Sequence, residues 1–339
     1  MRLPSPTVLD PQLFPSLRWG VIGPGGIAEV FVGASQKHTN QVFSAVASRT
    51  QGRAQAFATK FGIPTVHDNY QQLVENPELD AIYIASWQVE HFEHAMLALQ
   101  AGKHVLVEKP ITVLPEHAEQ IFALAKEKGL LAMEAMWTRY LPQSTIIREL
   151  LESGDLGTPE LFAASFCVDN RSISRLWQKG GGGIVYDMGI YNIAMAQQFM
   201  GNPTKITAVG SIDENRMDKE SFALLEYENG SRSHLTTSGI ATLPTSASCS
   251  FEKATLVIDE PFFVPSGLSL RDKELYFPQQ RWKDEAAIQG HEALSYQATW
   301  FAKYVSEGRV ESEIHTAQDT IANIRVAQEI TSQLGAEII

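Results

Sequence analysis

The stretch that most constrains this chain is a short apolar strand, residues 19–22, that runs into the turn Gly23-Pro24-Gly25-Gly26-Ile27-Ala28 and then into an amphipathic segment. Gly23, Gly25 and Ala28 have GxGxxA spacing. In that pattern the first glycine permits the tight turn and the second lets backbone N–H groups approach a pyrophosphate. The small third residue lets helix and strand pack closely. Gly26 and Ile27 open the helix, whose N-terminal amides then face an anion. Glycine-rich turns are common, so context decides: a second strand over Val42–Ala47 completes a βαβ unit and predicts a dinucleotide site.

The end of the second strand selects the cofactor. An acidic residue there would bond the ribose 2′-OH of NAD, but this chain has Ser48, Arg49 and Thr50, with Arg53 one turn later. Arginine supplies planar donors and a permanent charge, and the hydroxyls can bond phosphate oxygens, which favours NADP and leaves NAD possible. The plain alternative is a helix capped by Ser48 or Thr50 with solvated arginines.

Strand and helix keep alternating. Residues 61–66 lead into a third strand, and Asp68 can cap a helix over 70–74. A fourth strand ends at Ser86, and a helix covers 90–99. Residues 104–110, HVLVEKP, form a fifth strand whose end carries Glu108 and Lys109. Pro110 pushes Lys109 out of helical geometry and presents it on a stiff turn. A helix over 117–128 and a sixth strand running out through Trp137 complete a doubly wound Rossmann domain, α/β in class. It spans residues 18–138 and follows an extended arm, 1–17.

From 139 to 339 the chain reads as a substrate-binding and oligomerisation domain of α+β type. A linking helix comes first, then β-rich stretches including KITAVGSI, SFALLEYENG, ATLVID and KELYF, and two closing helices. They predict a large, mostly antiparallel open sheet, one face of which a partner subunit could cover as a homodimer. A chain of 339 residues suits two domains. A net charge of -12 disfavours nucleic acid or an anionic membrane as partner. The proline-rich N-terminus lacks a signal-peptide core, and no apolar run suits a membrane span. Cys167 and Cys249 are the two cysteines, without zinc spacing, which suits unpaired thiols in a reducing cytoplasm.

In the second half, GGGGIVYDMGIYN places Asp187 and Tyr191 at i and i+4, on one face if the segment is an α-helix. A flexible glycine hinge before an ordinary helix explains the same letters. Arg171, Arg175 and Trp177 precede the glycines and either line a sugar pocket or form a solvated loop. His91 and His94, three apart, lack a third ligand in register, so no metal is expected. His291 and Tyr296 read as packing residues.

Together, GPGGIA, SRT, ASWQVEH, AGKHVLVEKP and MEAMWTRYLP resemble the Gfo/Idh/MocA oxidoreductases, NAD(P)-dependent enzymes acting on sugars and polyols. MEAMWTRYLP most resembles the branch that contains dimeric dihydrodiol dehydrogenase and NADP-dependent xylose dehydrogenase. The resemblance implies that Ser86, Trp87 and His91 lie beside the nicotinamide ribose, and that Glu108, Lys109, Trp137 and Arg139 border nicotinamide and substrate. It also implies that Asp187 and Tyr191 face the substrate across from Lys109, and that the bond before Pro110 is cis. One departure stands out: the usual TPN-like tripeptide reads Ser86-Trp87-Gln88, which bears on ribose contacts and pocket size.

The implied reaction moves a hydride between NADP(H) and the CH–OH or C=O group of a sugar, polyol or related diol. A proton must move with it. Tyr191 is favoured for the proton and Lys109 for stabilising charge on oxygen, with Asp187 orienting; a coupled pair titrates as a unit, so the assignment between them stays open. An NAD-dependent glycosidase and a non-catalytic cofactor-sensing regulator are the alternatives that share the fold.

Overall fold

The computed structural model describes residues 2–273 and 280–337. The chain segregates into two compact units. One comprises Val8–Tyr140 with Ile288–Ile321; the other comprises the residues up to Thr7, Leu141–Ala287, and the residues from Ala322 onward.

The first unit is the predicted alternation. Strands β1 (Arg18–Ile22), β2 (Val42–Ala47), β3 (Thr65–His67), β4 (Ala81–Ile84), β5 (His104–Glu108) and β6 (Ala132–Ala135) form one six-stranded sheet. Its order is β3-β2-β1-β4-β5-β6 and every pairing is parallel. Helices α1 (Gly26–His38), α2 (Gln51–Phe61), α3 (Tyr70–Glu75), α4 (His91–Gln100) and α5 (Pro115–Lys128) make the crossovers. Burial on both faces explains the unbroken apolar runs of β4 and of Val105–Val107. The order reverses between β1 and β4, so their carboxyl ends diverge and leave a crevice for a ligand.

Three local expectations change. Asn69, not Asp68, caps α3 by accepting from the Gln72 N–H at 2.8 Å. The sixth strand stops at Ala135. Residues Trp137–Tyr140 turn into a 3₁₀ helix in which the Arg139 N–H donates to the Met136 carbonyl. The extended arm is interrupted by a 3₁₀ turn at Pro11–Leu13, capped by Asp10.

Residues after 138 do not all gather in one unit, because α8 (Leu294–Ser306) packs back on α1. Its Phe301 ring meets the buried Trp19 ring at 4.7 Å between centroids, beside Phe31 and Phe43. That aromatic cluster draws 288–321 into the nucleotide-fold core.

In the other unit, α6 (Pro142–Ser153) leads to β7 (Pro159–Cys167) and α7 (Ile190–Met200). Strands β8 (Lys205–Ile212), β9 (Asp218–Glu226), β10 (Arg232–Ser238), β11 (Ala247–Phe251), β12 (Ala254–Ile258), β13 (Gly267–Asp272) and β14 (Gln280–Lys283) follow, then α9 (Ala317–Leu334), which joins this unit from Ala322. The eight strands run in the order β14-β13-β12-β11-β7-β10-β9-β8, antiparallel except for β7 beside β10. Most of the expected KELYF strand lies outside the described residues.

Helix α7 lies on β7 and β10. Its Asn192 amide donates to the Thr236 carbonyl and to Thr237 Oγ1, each at 3.1 Å. On another face Val209 pairs across from Phe222, and both are exposed together with Leu224 and Leu161. Among the described residues no helix is long and apolar enough to cross a membrane.

Candidate functional site

At the carboxyl ends of β1, β4 and β5 the glycine turn has the shape a dinucleotide requires. Gly23 has φ +79°, and a Cβ there would lie 2.5 Å from the Ser86 backbone nitrogen, so the turn and the exit of β4 can approach only with glycine. Gly25 precedes α1 and its N–H donates to the Gly23 carbonyl at 2.8 Å. A Cβ on Gly26 would meet nothing within 4 Å. The amides opening α1 thus border free space, which fits a pyrophosphate. Ile27 is exposed beside them, while Ala28 is wholly buried where helix meets strand.

Past β2, Ser48 Oγ accepts from the Thr50 N–H at 3.2 Å. Thr50 occupies the N-cap of α2 without a side-chain cap bond, so the serine organises the turn. Arg49, Thr50 and Arg53 are exposed, and Arg49 is ion-paired to Glu90. Glu90, unanticipated from sequence, therefore stands beside the proposed phosphate ligand. Its only sequence signal was its position next to His91.

Ser86 joins two buried histidines. His91 lies between the Pro110 carbonyl (Nδ1, 2.9 Å) and the Ser86 carbonyl (Nε2, 3.0 Å), at the exits of β5 and β4. His94 Nδ1 is 2.8 Å from Ser86 Oγ. Burial pushes both imidazoles down to about 4, against the raising effect of the two carbonyls on His91 and of Glu93 on His94. Both are neutral at pH 7, so His91 carries a single ring N–H and donates to only one of the two carbonyls it lies between. Trp87, by contrast, is 41% exposed at the rim.

The end of β5 is the most constrained part. The Lys109–Pro110 bond is cis. Glu108, buried, accepts from Tyr83 Oη at 2.6 Å and from the Lys109 N–H at 3.2 Å. Burial outweighs these partners and raises its carboxyl to about 7. One strand over, Glu134 Oε1 accepts from the Ile111 N–H at 2.8 Å, and its Oε2 lies 2.6 Å from His315 Nε2. Glu134 and His315 thus brace the turn that carries Lys109, a support formed by residues 181 apart in sequence. Trp137 and Arg139 are both buried. The Trp137 ring lies against His291, and the Arg139 guanidinium donates to the Ile314 carbonyl at 3.1 Å. His291, expected to be a packing residue, is exposed and touches the Trp137 ring from outside, whereas Tyr296 is buried.

In the other unit the glycine tract is required by close approaches rather than by a hinge alone. A Cβ on Gly181 would fall 1.6 Å from the Arg175 carbonyl oxygen, and one on Gly183, at φ +62°, 2.0 Å from Asp218 Oδ1. The segment then enters a π turn, Val185–Gly189, before α7. Asp187 sits in that turn, so its relation to Tyr191 is not the simple i, i+4 pairing of an α-helix. Asp187 Oδ1 accepts from the Arg175 guanidinium at 2.7 Å. Tyr191 is buried and its ring stacks near Phe166 (5.8 Å) and Phe263 (6.2 Å).

Of the preceding loop, Arg175 joins Asp187, whereas the other two candidates hold the loop itself. Arg171 pairs with Asp169 and donates to the Ile240 carbonyl at 2.7 Å; Trp177 Nε1 donates to the Asn170 carbonyl at 3.2 Å. Asp218 was missed by sequence reading, since no motif marks it.

A parallel sheet in Rossmann order with open glycine-turn amides, joined in sequence to a large mixed sheet, defines a dinucleotide-binding protein. Residues 17–136 match the Gfo/Idh/MocA oxidoreductase family with its NAD-binding Rossmann fold, and residues 145–257 match the Gfo/Idh/MocA C-terminal domain. The chain belongs to the Gfo/Idh/MocA family. It is 32% identical to trans-1,2-dihydrobenzene-1,2-diol dehydrogenase of Mus musculus, over 94% of this chain and 97% of that one. The Homo sapiens enzyme of the same name is 29% identical with the same coverage. Among solved structures, the 3-ketoreductase KijD10 of Actinomadura kijaniata, in complex with NADP and TDP-benzene, superposes with TM-score 0.82 at 26% identity, covering 94% of this chain and 98% of that one. Levoglucosan dehydrogenase with NADH and levoglucosan shares the fold, with TM-score 0.84 at 19% identity over 94% and 97%.

Proposed function

We propose that this protein transfers a hydride between NADP(H) and the CH–OH or C=O group of a sugar, polyol or related diol. The observation that carries the reading is the chain's double equipment: Lys109 beside a turn braced by Glu134 at the end of β5, and Asp187 in a π turn with Tyr191 in the helix that follows. A binding module has no need of that set. The names of the relatives, a diol dehydrogenase and a sugar ketoreductase, agree with it.

Bound nicotinamide supplies or accepts the hydride. The chain's residues handle the rest. Amides opening α1 hold the pyrophosphate, and Ser48, Arg49 and Thr50, with Arg53, hold the 2′-phosphate. The Ser86-Trp87 turn borders the ribose. Tyr191 Oη gives a proton to the carbonyl oxygen in reduction and takes it in oxidation, while Lys109 Nζ stabilises negative charge on that oxygen. Asp187, steadied by Arg175, orients a neighbouring substrate hydroxyl.

The test is fluorescence titration with NADPH and NADH, followed by absorbance assays of nicotinamide reduction with aldoses, inositols and vicinal diols. The reading requires tighter NADPH binding, net nicotinamide reduction with at least one panel member, and its loss in Lys109→Ala and Tyr191→Phe. Turnover without net change in reduced cofactor supports a glycosidase instead, and binding without turnover a regulator.

We further propose a homodimer joined through the sheet face bearing Leu161, Val209, Phe222 and Leu224, whose exposure on one continuous surface supports it. Sedimentation as a monomer at micromolar concentration would rule it out. A cytoplasmic location fits the two buried, unbridged cysteines.

A further inference from the structure

The geometry points to Asp218 as a positioning residue for the reaction: its buried carboxylate fixes the start of the π turn and, through that turn, where Asp187 and Tyr191 stand. The inference rests on the proposed roles of those two residues. Asp218 opens β9, and one of its oxygens, Oδ2, accepts from the backbone N–H of Ile184 at 2.8 Å and of Val185 at 2.7 Å. Those are orphan donors of the helical segment, which has no capping side chain of its own. The cap comes instead from a strand about thirty residues later.

The surroundings are shaped to admit this carboxylate. Asp218 is fully buried, and Gly183 turns through φ +62° where any Cβ would strike Asp218 Oδ1. Ionisation is disfavoured by burial, which lifts the carboxyl to about 6 despite the amide donors. A group retained at such cost calls for a role beyond filling space. Val185, which it holds, is the first residue of the π turn; Asp187 is two residues on and Tyr191 six. From Asn192 onward α7 is anchored separately, by Thr236 and Thr237 of β10. Asp187 and Tyr191 lie between these two anchors. Without the first, the π turn is free to relax to α-helical spacing and rotate Asp187 relative to Tyr191.

The test compares Asp218→Ala and Asp218→Asn with the native enzyme in kcat, KM and NADPH affinity. The asparagine oxygen can accept from the same two amides, whereas alanine accepts none. Displacement of reacting groups by about 1 Å costs up to roughly a hundredfold, so alanine is expected to lower kcat at least tenfold with NADPH affinity within twofold. Asparagine is expected to restore kcat to within about threefold. A merely structural role predicts a smaller folded fraction with unchanged KM and pH–rate profile; for a positioning role the alanine variant's profile shifts. Folded Asp218→Ala with native kcat, KM and profile overturns the inference, as does Asp218→Asn no better than alanine. If alanine does not fold, Asp218→Ser replaces it, since its hydroxyl reaches one amide at most; native kinetics in the serine variant also overturn the inference. Tyr191→Phe run alongside separates the two readings. If it keeps full activity, the proposed function has failed; if it is inactive while the Asp218 variants behave as native, only this inference has.

Discussion

The Tyr83 hydroxyl donates to Glu108 Oε1 at 2.6 Å between adjacent strands of the parallel sheet, where both side chains are buried. That bond favours the ionised carboxylate, yet burial prevails and holds Glu108 at about 7 instead of its ordinary 4.5. Because the folded value is raised, the native state keeps a proton that the unfolded chain releases. The associated stability is whole below about pH 4.5 and is lost as pH rises through 7.

Glu108→Gln keeps an acceptor for Tyr83 and cannot ionise, at the small, pH-independent cost of the Lys109 amide's acceptor. Relative to the native protein, the variant is expected to gain roughly 3 kcal/mol between about pH 4.5 and pH 8. Urea unfolding at several pH values measures this difference. A constant offset across the range would show that Glu108 does not titrate as described. In the variant the opposing effect of His91 and His94, whose folded values near 4 make stability fall as pH drops below 6.5, is set against the remaining contribution of Asp218, whose carboxyl is raised to about 6.

Arg49 and Glu90 make the second prediction. The ion pair engages one guanidinium nitrogen of Arg49, so a 2′-phosphate would share this side chain with the Glu90 carboxylate. Arg49→Ala is expected to weaken NADPH about tenfold or more and NADH little, the size of a charge-assisted hydrogen bond. Glu90→Gln removes the competitor and is expected to strengthen NADPH relative to NADH severalfold, most at low salt. Equal changes for both nucleotides in either variant would place the phosphate elsewhere.

What could be read in advance followed from local pattern. β1, β2 and the GxGxxA turn are set by residues next to one another, and Lys109 and Pro110 by the strand that ends beside them. The course of residues 132–140 was not legible, because a short apolar run suits a buried strand or a buried 3₁₀ turn equally, and the Arg139–Met136 hydrogen bond marks the turn. Asp187 and Tyr191 were legible as residue types, but the π turn between them was not: its cap is Asp218, remote in sequence. Glu134 with His315, and the return of α8 to Trp19, belong to the same class of long-range contact.

The Glu134–His315 pair is almost entirely buried, at 1% exposure for each side chain. Breaking such a pair leaves a polar group without its partner in a place water does not reach, which typically costs about 1–3 kcal/mol. His315→Ala is expected to lie in that range by denaturant unfolding. Glu134→Ala should cost at least as much, since the Ile111 N–H beside the cis-proline turn loses its acceptor too. If Glu134→Ala left both stability and kcat unchanged, the bracing of Lys109 would be wrong.

Gly181 gives a test of the second unit that leaves the cofactor fold alone. A methyl group there would need space occupied by the Arg175 carbonyl, which is backbone and cannot swing aside as a side-chain tip can. Relief requires the 175–178 loop to move, and Arg175 is the partner of Asp187. Gly181→Ala is therefore expected to lower turnover by roughly tenfold or more through Asp187. NADPH affinity should stay within twofold of native. Gly129→Ala is the control: it has φ +65° at the end of α5, but its Cβ would meet nothing within 4 Å. That substitution should cost about 1 kcal/mol of stability from backbone strain alone, with native kcat. If Gly181→Ala behaved like the control, losing stability but keeping turnover, the Arg175–Asp187 contact would have no part in catalysis.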